Sequence, residues 1–309
     1  LKSYLLKNNK KINFKTVQPI NIQSENVTPN IWNKIIKCIE ENWNNKFSGI
    51  IITHGTDTLS YTSSALSQYF YNFYKPVILV SSDKPLKDKN SNGKLNFASA
   101  IDFIEKIKLP GTYVSYKNPK DNFISFFIGS RIKQINSYYN NLNSGFGDPF
   151  CILKNKKFSF IKKNNPSILS IKKNGKKNSL NMGFEFSNKI LLIHAYPGLN
   201  YDSFNLIKIK PKVILHTLYH SGTTSLQFTN FIKKNKNKKI SFFVAPISNK
   251  KKNIYLSLKI LMKLKAKCLK GITVETAFAK LSLAFQSFKN EKDRNNFLSN
   301  NNFFEKILF

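Results

Sequence analysis

The chain has 309 residues, of which 41% are hydrophobic and 14% aromatic; this composition excludes a disordered protein and predicts one or two globular domains. No apolar stretch approaches the roughly 20 residues of a membrane-spanning helix, and no secretory signal pattern is found, so a cytoplasmic location is expected. The formal net charge is +34 and is carried almost entirely by lysine, because Arg131 and Arg294 are the two arginines of the chain.

This lysine excess argues against nucleic-acid recognition as the principal function. Arginine is the preferred reader of phosphates and base edges, and here lysine, asparagine, isoleucine, phenylalanine and tyrosine are all inflated along the whole chain. Such a composition indicates a drifted, A+T-rich coding sequence more than a binding face. We therefore expect only non-specific, salt-sensitive attraction to nucleic acids.

The first half of the chain is predicted to alternate strands with helices. Residues 1–16 are rich in lysine and asparagine and are expected to be peripheral. Thr28 and Pro29 form the N-cap and first position of a helix, and a second helix opens at Ser60. The predicted strands are residues 17–22, 49–53, 76–80, 111–116 and 123–128, with a helix at 95–107 and a loop at 129–149.

The second half repeats the same rhythm after a polar interval. Residues 163–187 are dominated by Lys, Asn, Ser and Gly and are predicted to be a linker between an N-terminal domain, 1–162, and a C-terminal domain, 188–309. The predicted strands are 190–194, 213–216 and 240–244, and the predicted helices are 253–264 and 273–287. Strands that alternate with helices favour an α/β protein with mainly parallel sheets.

One stretch combines a buried strand with reactive side chains. The β-branched run at residues 49–53 is followed by the polar turn His54-Gly55-Thr56-Asp57-Thr58 and then by a helix. This order places Thr56 and Asp57 at the carboxyl end of a strand, where open α/β sheets bind ligands. A hydroxyl cap followed by a helix-starting Asp is the alternative interpretation of the same spacing.

The motif ITHGTDTLSYTSSAL, residues 52–66, resembles the second signature of the L-asparaginase family. The resemblance extends from about residue 13 to about residue 288 and favours the cytoplasmic, type I-like branch. It implies a larger Rossmann-like N-terminal domain and a smaller flavodoxin-like C-terminal domain. The further similar stretches are IQSENVTPNIW (22–32), KPVILVSSDKPL (75–86), SNGKLNFASAI (91–101), AYPGLNYD (195–202), LYHSGT (218–223) and ITVETAFAKL (272–281).

The resemblance implies hydrolysis of L-asparagine to L-aspartate and ammonia without a metal or organic cofactor. By match, Thr56 is the attacking hydroxyl or the positioner of the nucleophilic water, and Asp57 holds the substrate ammonium. Ser24 and Glu25 match the residues that hold the α-carboxylate and α-amine, and Ser82 matches the residue that contacts the side-chain amide. Family members complete each site with a loop from a neighbouring subunit, so a homo-oligomer, dimer or tetramer, is implied.

Two departures from the family pattern concern its catalytic groups. The first signature, T-G-G-T-I, carries another catalytic threonine; no such segment is found here, and the chain is expected to start after it. The proton-relay lysine of a G-x-R-x-x-K segment is replaced by Gln134, while Lys133 lies one residue earlier. A lysine one position early on a strand would face the opposite side.

These departures leave two other functions open. The first is a catalytically impaired protein that keeps the fold and binds an amino acid. The second is the amidase subunit of a tRNA-dependent amidotransferase, which would need a partner subunit. A metal site at His216 and His220 is not expected, because no carboxylate or cysteine lies near them in sequence and the three cysteines have no metal-ligand spacing.

Overall fold

A computed structural model of the chain describes residues 12–145, 147–175, 180, 183–248 and 254–306. These residues form two sheets flanked by helices, which confirms the α/β class. The strands are β1 Ile50–Thr53, β2 Pro76–Val80, β3 Gly111–Tyr116, β4 Ile124–Ile128, β5 Cys151–Lys154, β6 Lys157–Phe160, β7 Ile190–Ile193, β8 Val213–Thr217, β9 Ser241–Ile247 and β10 Lys267–Lys270. The helices are α1 Pro29–Asn42, α2 Leu59–Tyr69, α3 Gly93–Lys106, α4 Ile168–Asn174, α5 Leu206–Ile209, α6 Leu226–Asn235, α7 Leu256–Lys263, α8 Val274–Ser287 and α9 Glu291–Ser299.

The sheets are mainly parallel, as predicted, but the first sheet has an antiparallel half. Its strands lie in the order β1 to β6, and β1, β2 and β3 run parallel while β3 to β6 pair antiparallel. The connection between β3 and β4 is too short for the helical crossover that a parallel pair requires. Asn155 and Lys156 both have positive φ and turn β5 directly into β6, as in a two-residue hairpin. The second sheet, ordered β10-β9-β8-β7, is parallel throughout.

Helix α2 is the central packing element beside the first sheet. All but one of its eleven residues are buried, and many of them carry small hydroxyl side chains. These hydroxyls are hydrogen-bonded: Ser63 donates to the carbonyl of Gly129 at 2.9 Å, and the Ser64 hydroxyl lies 2.9 Å from that of Thr276 on helix α8. Because the side chains are small and satisfied, α2 and α8 pack closely, and α8 also contacts the second sheet.

The C-terminal segment packs into the core of the first sheet. Phe303 is 1% exposed and packs edge-to-face against Tyr113 of β3 at 6.2 Å between ring centroids. The fully buried pair of Lys280 and Glu305, with 2.5 Å between Nζ and Oε1, fixes this segment to helix α8. The chain therefore returns to the sheet that contains its first strand.

Some local predictions are wrong. Residues 17–22 form no strand: β1 is an edge strand paired only with β2, and this segment does not pair with its free edge. The sequence pattern does not predict strands β5, β6 and β10 or helices α6 and α9, because their apolar runs are short. The helix predicted at 253–264 begins at Leu256, and residue 253 lies outside the described residues, as do 1–11 of the predicted peripheral segment.

Other predictions agree with the structure. Helix α1 begins at Pro29 with Thr28 as N-cap, although the Thr28 side chain makes no capping hydrogen bond. The described part of 129–149 is loop apart from one 3-10 turn and isolated bridges. The linker at 163–187 stays a prediction, and helix α4 lies within it.

None of the helices in the described ranges is long and apolar enough to cross a bilayer. The three cysteines are unpaired thiols, of which only Cys151 is fully buried; burial raises its pKa to about 12. Cys38 and Cys268 are half-buried.

Candidate active site

The polar turn after β1 lies at the carboxyl ends of the parallel strands. Thr53 pairs with Val80 at the last step of the ladder, and the backbone N–H of His54 donates to the Val80 carbonyl at 2.9 Å. Helix α2 begins at Leu59, so the residues between it and β1 bridge the strand end and the helix N-terminus. This is the edge of an open α/β sheet at which ligands bind, and the helix N-terminus favours an anionic group there.

The structure brings Ser24 and Asp57 into direct contact. The Ser24 hydroxyl, which is 7% exposed, donates to Oδ2 of Asp57 at 3.1 Å. The Thr58 hydroxyl donates to the Ser24 carbonyl at 2.7 Å and ties the two segments together a second time. Two segments separated by 33 residues in sequence therefore present a hydroxyl and a carboxylate at one point.

Gly55 allows this contact. A Cβ atom built at Gly55 would lie 2.5 Å from the Ser24 hydroxyl oxygen and 2.7 Å from the Ser24 Cβ. A Cβ at that distance would force Ser24 to move, so the close approach of the 3-10 turn Ser24–Asn26 favours glycine at this position.

The site is open to solvent in the single chain. Gly55 and Asp57 are exposed and Thr56 is half-buried, so the hydroxyl and the carboxylate of the motif lie at an accessible surface. Glu25 is also exposed on the same 3-10 turn as Ser24. A substrate can reach all of these side chains, but the single chain leaves them without an enclosing wall.

His54 bonds with the backbone of its own turn and makes no hydrogen bond with Asp57. Its Nδ1 lies 2.7 Å from the carbonyl of Gly55, and its Nε2 is buried without a partner among the described residues. Burial lowers the pKa of His54, although the bond with the Gly55 carbonyl and the charge of Asp57 act in the opposite direction. The imidazole is therefore neutral near pH 7.

Ser82 has partners in its own loop. Its hydroxyl donates to the Lys84 carbonyl at 2.5 Å and lies 2.7 Å from the Ser91 hydroxyl. The loop follows β2, so it borders the turn after β1, but the Ser82 side chain is directed into the loop. Contact with a substrate amide would require this hydroxyl to exchange its partner.

Gln134 lies against the candidate site, whereas Lys133 does not bond with it. The Gln134 side-chain amide donates to the carbonyl of Asp57, and its oxygen accepts from the Ser60 hydroxyl at 2.8 Å. Lys133 is exposed and its aliphatic stem lies beside Gly145. The family pattern marks the position of Gln134 but not these contacts. Glu275, which accepts from the Gln134 backbone N–H, lies in the similar stretch 272–281, but that stretch does not indicate this contact.

Metal ligands do not cluster in the described residues: they contain no group of three or more His, Cys, Asp or Glu side chains that could hold an ion. His216 is buried, its Nε2 lies 2.8 Å from the Tyr201 hydroxyl and its ring stacks on Phe228 at 3.8 Å. Burial lowers its pKa to about 4. His220 is exposed and lies on the following loop, so the two histidines do not form a pair of ligands.

Comparisons with known proteins agree with this geometry at the level of the fold. Residues 3–146 match the domain family described as "Asparaginase, N-terminal". The structure is similar to L-asparaginase I from Vibrio cholerae, with a TM-score of 0.74, 21% identity and 93% of this chain and 84% of that chain covered. It is also similar to the thermostable L-asparaginase from Thermococcus kodakarensis, with a TM-score of 0.78, 20% identity and coverage of 100% and 92%.

Sequence relatives carry a different name. The D subunit of glutamyl-tRNA(Gln) amidotransferase from Methanosphaera stadtmanae is 31% identical over 194 residues, which are 61% of this chain and 42% of the relative. Its counterpart from Saccharolobus solfataricus is 26% identical over 195 residues, with 62% and 42% covered. The match to each of these relatives thus spans about two fifths of its length.

Proposed function

We propose, from the premise that the chain belongs to the asparaginase family, that it hydrolyses the side-chain amide of L-asparagine to L-aspartate and ammonia. The observation that carries the proposal is the hydrogen bond between the Ser24 hydroxyl and the Asp57 carboxylate beside Thr56. One accessible strand end then holds a nucleophilic hydroxyl, a carboxylate and a helix N-terminus. These groups are suited to the binding and hydrolysis of an amino-acid amide.

The proposed chemistry has two steps. The Thr56 hydroxyl attacks the amide carbon, a C–O bond forms, the C–N bond breaks, and the nitrogen leaves as ammonia with the hydroxyl proton. Water then hydrolyses the ester and restores the hydroxyl; in the alternative, Thr56 positions the water that attacks the amide directly. Backbone N–H groups near Gly55 and Ser82 stabilise the oxyanion in either case.

Asp57 and Ser24 are proposed to receive the amino-acid end of the substrate. The Asp57 carboxylate binds the α-ammonium, and Ser24 and Glu25 lie on the turn beside it. A hydroxyl has one proton, so Ser24 donates either to Asp57 or to a substrate carboxylate, but not to both. In the structure this proton goes to Asp57, so Ser24 orients the carboxylate that is proposed to bind the ammonium.

The direct test is ammonia release from L-asparagine between about pH 7 and pH 9. We expect turnover by the native protein and loss of at least about a thousandfold in Thr56→Val, as for removal of a nucleophile. Asp57→Asn should lose about 10- to 150-fold in kcat/KM, the worth of a charge-assisted hydrogen bond of about 1.5–3 kcal/mol. Asp202→Asn, an exposed carboxylate paired with Lys234 in the second half of the chain, is the matched control.

The outcomes separate the proposal from its rivals. Native protein that releases no ammonia contradicts hydrolysis of L-asparagine. If that protein still binds L-aspartate, an amino-acid-binding protein that keeps the fold replaces the enzyme. Turnover that Thr56→Val and Asp57→Asn leave unchanged would place the reaction at another site.

A second candidate is an amidase component that supplies ammonia within a tRNA-dependent amidotransferase. The similarity to two proteins named as the D subunit of such an enzyme favours it. It requires a partner protein, and ammonia release should then rise when the partner and charged tRNA are added. Co-purification from the source organism at moderate salt tests it, and recovery of the chain without a stoichiometric partner argues against it.

The exposed position of Asp57 and Gly55 supports a homo-oligomer in which a neighbouring copy closes the site. Specific activity measured over a dilution series would test this, since dissociation of the copies would leave each site open and lower its turnover. Mass in solution measured by light scattering gives the number of copies. A monomer with full activity contradicts shared sites.

A further inference from the structure

Gln134 is an exposed side chain that makes two directed hydrogen bonds to the candidate site. Its amide N–H donates to the backbone carbonyl of Asp57, and its amide oxygen accepts from the Ser60 hydroxyl at 2.8 Å. A primary amide offers both a donor and an acceptor, so one side chain satisfies both partners. Fixing an exposed glutamine in one rotamer costs conformational entropy. Here the side chain is nevertheless held in place by Ser60, which lies 74 residues away in sequence.

Asp57 is thus held at both ends of the residue. Ser24 donates to the carboxylate at 3.1 Å, and Gln134 donates to the main-chain carbonyl. The adjacent residues Thr58 and Ser60 are held by the same two segments, since Thr58 donates to the Ser24 carbonyl and Ser60 to Gln134. The direction of the carboxylate therefore depends on the bond to Gln134 as well as on the bond to Ser24.

Gln134 is itself anchored by a carboxylate from the C-terminal half. Its backbone N–H donates to Oε1 of Glu275 at 2.6 Å, and Glu275 is 5% exposed on helix α8. The other oxygen of Glu275 has no hydrogen-bond partner among the described residues. Burial and then the charge of Glu275 raise the pKa of the neighbouring Tyr61 to about 12, so the phenol stays neutral.

A buried carboxylate that is only half satisfied costs stability, because its desolvation is not fully compensated. The contact that it makes is with the residue that holds the Asp57 loop. Helix α8 reinforces the same segment through Thr276, whose hydroxyl donates to the Ser130 carbonyl at 2.6 Å. The C-terminal half therefore fixes the position of the candidate site through Gln134.

We propose that Gln134 is a positioning residue for the site: it directs the Asp57 carboxylate toward the α-ammonium of the substrate, and Glu275 acts through it. This inference rests on the proposed role of Asp57 in binding an amino acid. Gln134 has no titratable group and takes no proton from the reaction. Its effect falls on ligands that carry an ammonium group and not on those that lack one.

The test compares ligand pairs that differ only in the ammonium. Gln134→Met keeps the length of the side chain and removes both hydrogen bonds, whereas Gln134→Glu keeps the acceptor for Ser60 and loses the donor to Asp57 at neutral pH. KM is measured for L-asparagine and for succinamate, which has the same amide without the ammonium. Dissociation constants are measured by calorimetry for L-aspartate and succinate. Gln227→Met, an exposed glutamine on helix α6, is the matched control.

We expect both Gln134 variants to raise KM for L-asparagine and Kd for L-aspartate about tenfold, as a loss of about 1.4 kcal/mol predicts. The values for succinamate and succinate should change less than about twofold, and the unfolding midpoint should stay close to that of Gln227→Met. The inference is overturned if affinity falls equally for the ligand with the ammonium and its counterpart without it, or if the Kd for L-aspartate does not rise.

The binding arm keeps this result separate from the proposed function. A native protein that binds L-aspartate without turnover contradicts asparagine hydrolysis, while the comparison of L-aspartate with succinate still decides the role of Gln134. A native protein that binds neither L-asparagine nor L-aspartate overturns both, because Asp57 then has no ammonium to hold. Glu275→Ala should raise the ratio of the Kd for L-aspartate to the Kd for succinate, as Gln134→Met does.

Discussion

Substitution of Gly55 by alanine tests whether the contact between Ser24 and Asp57 matters for activity. The added Cβ would lie 2.5 Å from the Ser24 hydroxyl oxygen and 2.7 Å from its Cβ, and ordinary contact begins at 3.4 Å. Ser24 must therefore retreat by about 1 Å, which stretches its 3.1 Å bond to Asp57 beyond hydrogen-bonding range. The substitution thus removes the Ser24–Asp57 hydrogen bond while both residues keep their side chains.

The expected loss follows from the strength of that bond. A hydrogen bond to a charged carboxylate contributes about 1.5–3 kcal/mol, so kcat/KM should fall about 10- to 150-fold. Ser24→Ala should lose a similar amount, and the double variant Gly55→Ala with Ser24→Ala should lose little more than either, because both changes remove one contact. The assay is ammonia release from L-asparagine, normalised to folded protein.

Gly175→Ala is the control for crowding by a methyl group. A Cβ there would lie 2.9 Å from Pro110 Cγ, a similarly tight contact that is remote from the turn after β1. Overpacking of this kind costs about 1–3 kcal/mol of stability, and we expect it to leave kcat/KM unchanged. Activity of Gly55→Ala within about twofold of the native value would refute a functional role for the Ser24–Asp57 bond.

Three further predictions concern stability, each measured by urea unfolding. Gly111 and Gly147 both have φ near +120°, but only at Gly111 would an added Cβ meet a buried ring, that of Phe303 at 1.9 Å. Gly111→Ala should therefore lower the free energy of unfolding by about 1–3 kcal/mol more than Gly147→Ala does. Equal losses of stability would contradict the importance of this contact. Lys280→Met and Glu305→Gln should each lower the free energy of unfolding by about 3–5 kcal/mol, because each substitution leaves the other member of the buried pair without its charged partner. Burial acts to raise the pKa of Glu305, but the charge of Lys280 and hydrogen bonds outweigh it and hold the pKa below 4.5, so native stability should fall below that pH while the stability of Glu305→Gln loses this dependence. His216 stays neutral with a pKa of about 4, so stability should decrease by up to about 1.4 kcal/mol per unit as pH falls from 6.5 toward 4, and His216→Gln should remove that slope.

The local elements near the site are predictable from sequence because their signals are local. The β-branched run before His54 predicts β1, the glycine and hydroxyl residues predict the turn, and the small side chains after it predict the start of α2. Each depends on propensity and polarity over a few residues. The pattern does not predict the antiparallel half of the first sheet, because the hairpin between β5 and β6 turns on Asn155 and Lys156 without the glycine that marks such turns.

The partners of the site are less predictable. Family resemblance, not spacing, places Ser24 beside Asp57, since 33 residues separate them. Ser82 is expected at the substrate, but in the structure its hydroxyl bonds within its own loop. Hydroxyl side chains bond to the nearest available acceptor, and sequence does not show which acceptor that is.

Local patterns in the sequence are enough to indicate that this chain builds an α/β fold and that Thr56 and Asp57 follow a strand, because runs of apolar and turn residues act on their own neighbours. The folded structure is needed to show that Gln134 donates to the Asp57 carbonyl, that Glu275 holds Gln134 across 141 residues, and that Phe303 packs against the first sheet. These contacts depend on the order of strands in a sheet and on how α8 packs against α2. Packing at such distances is set by the whole fold, and no single stretch of sequence encodes it.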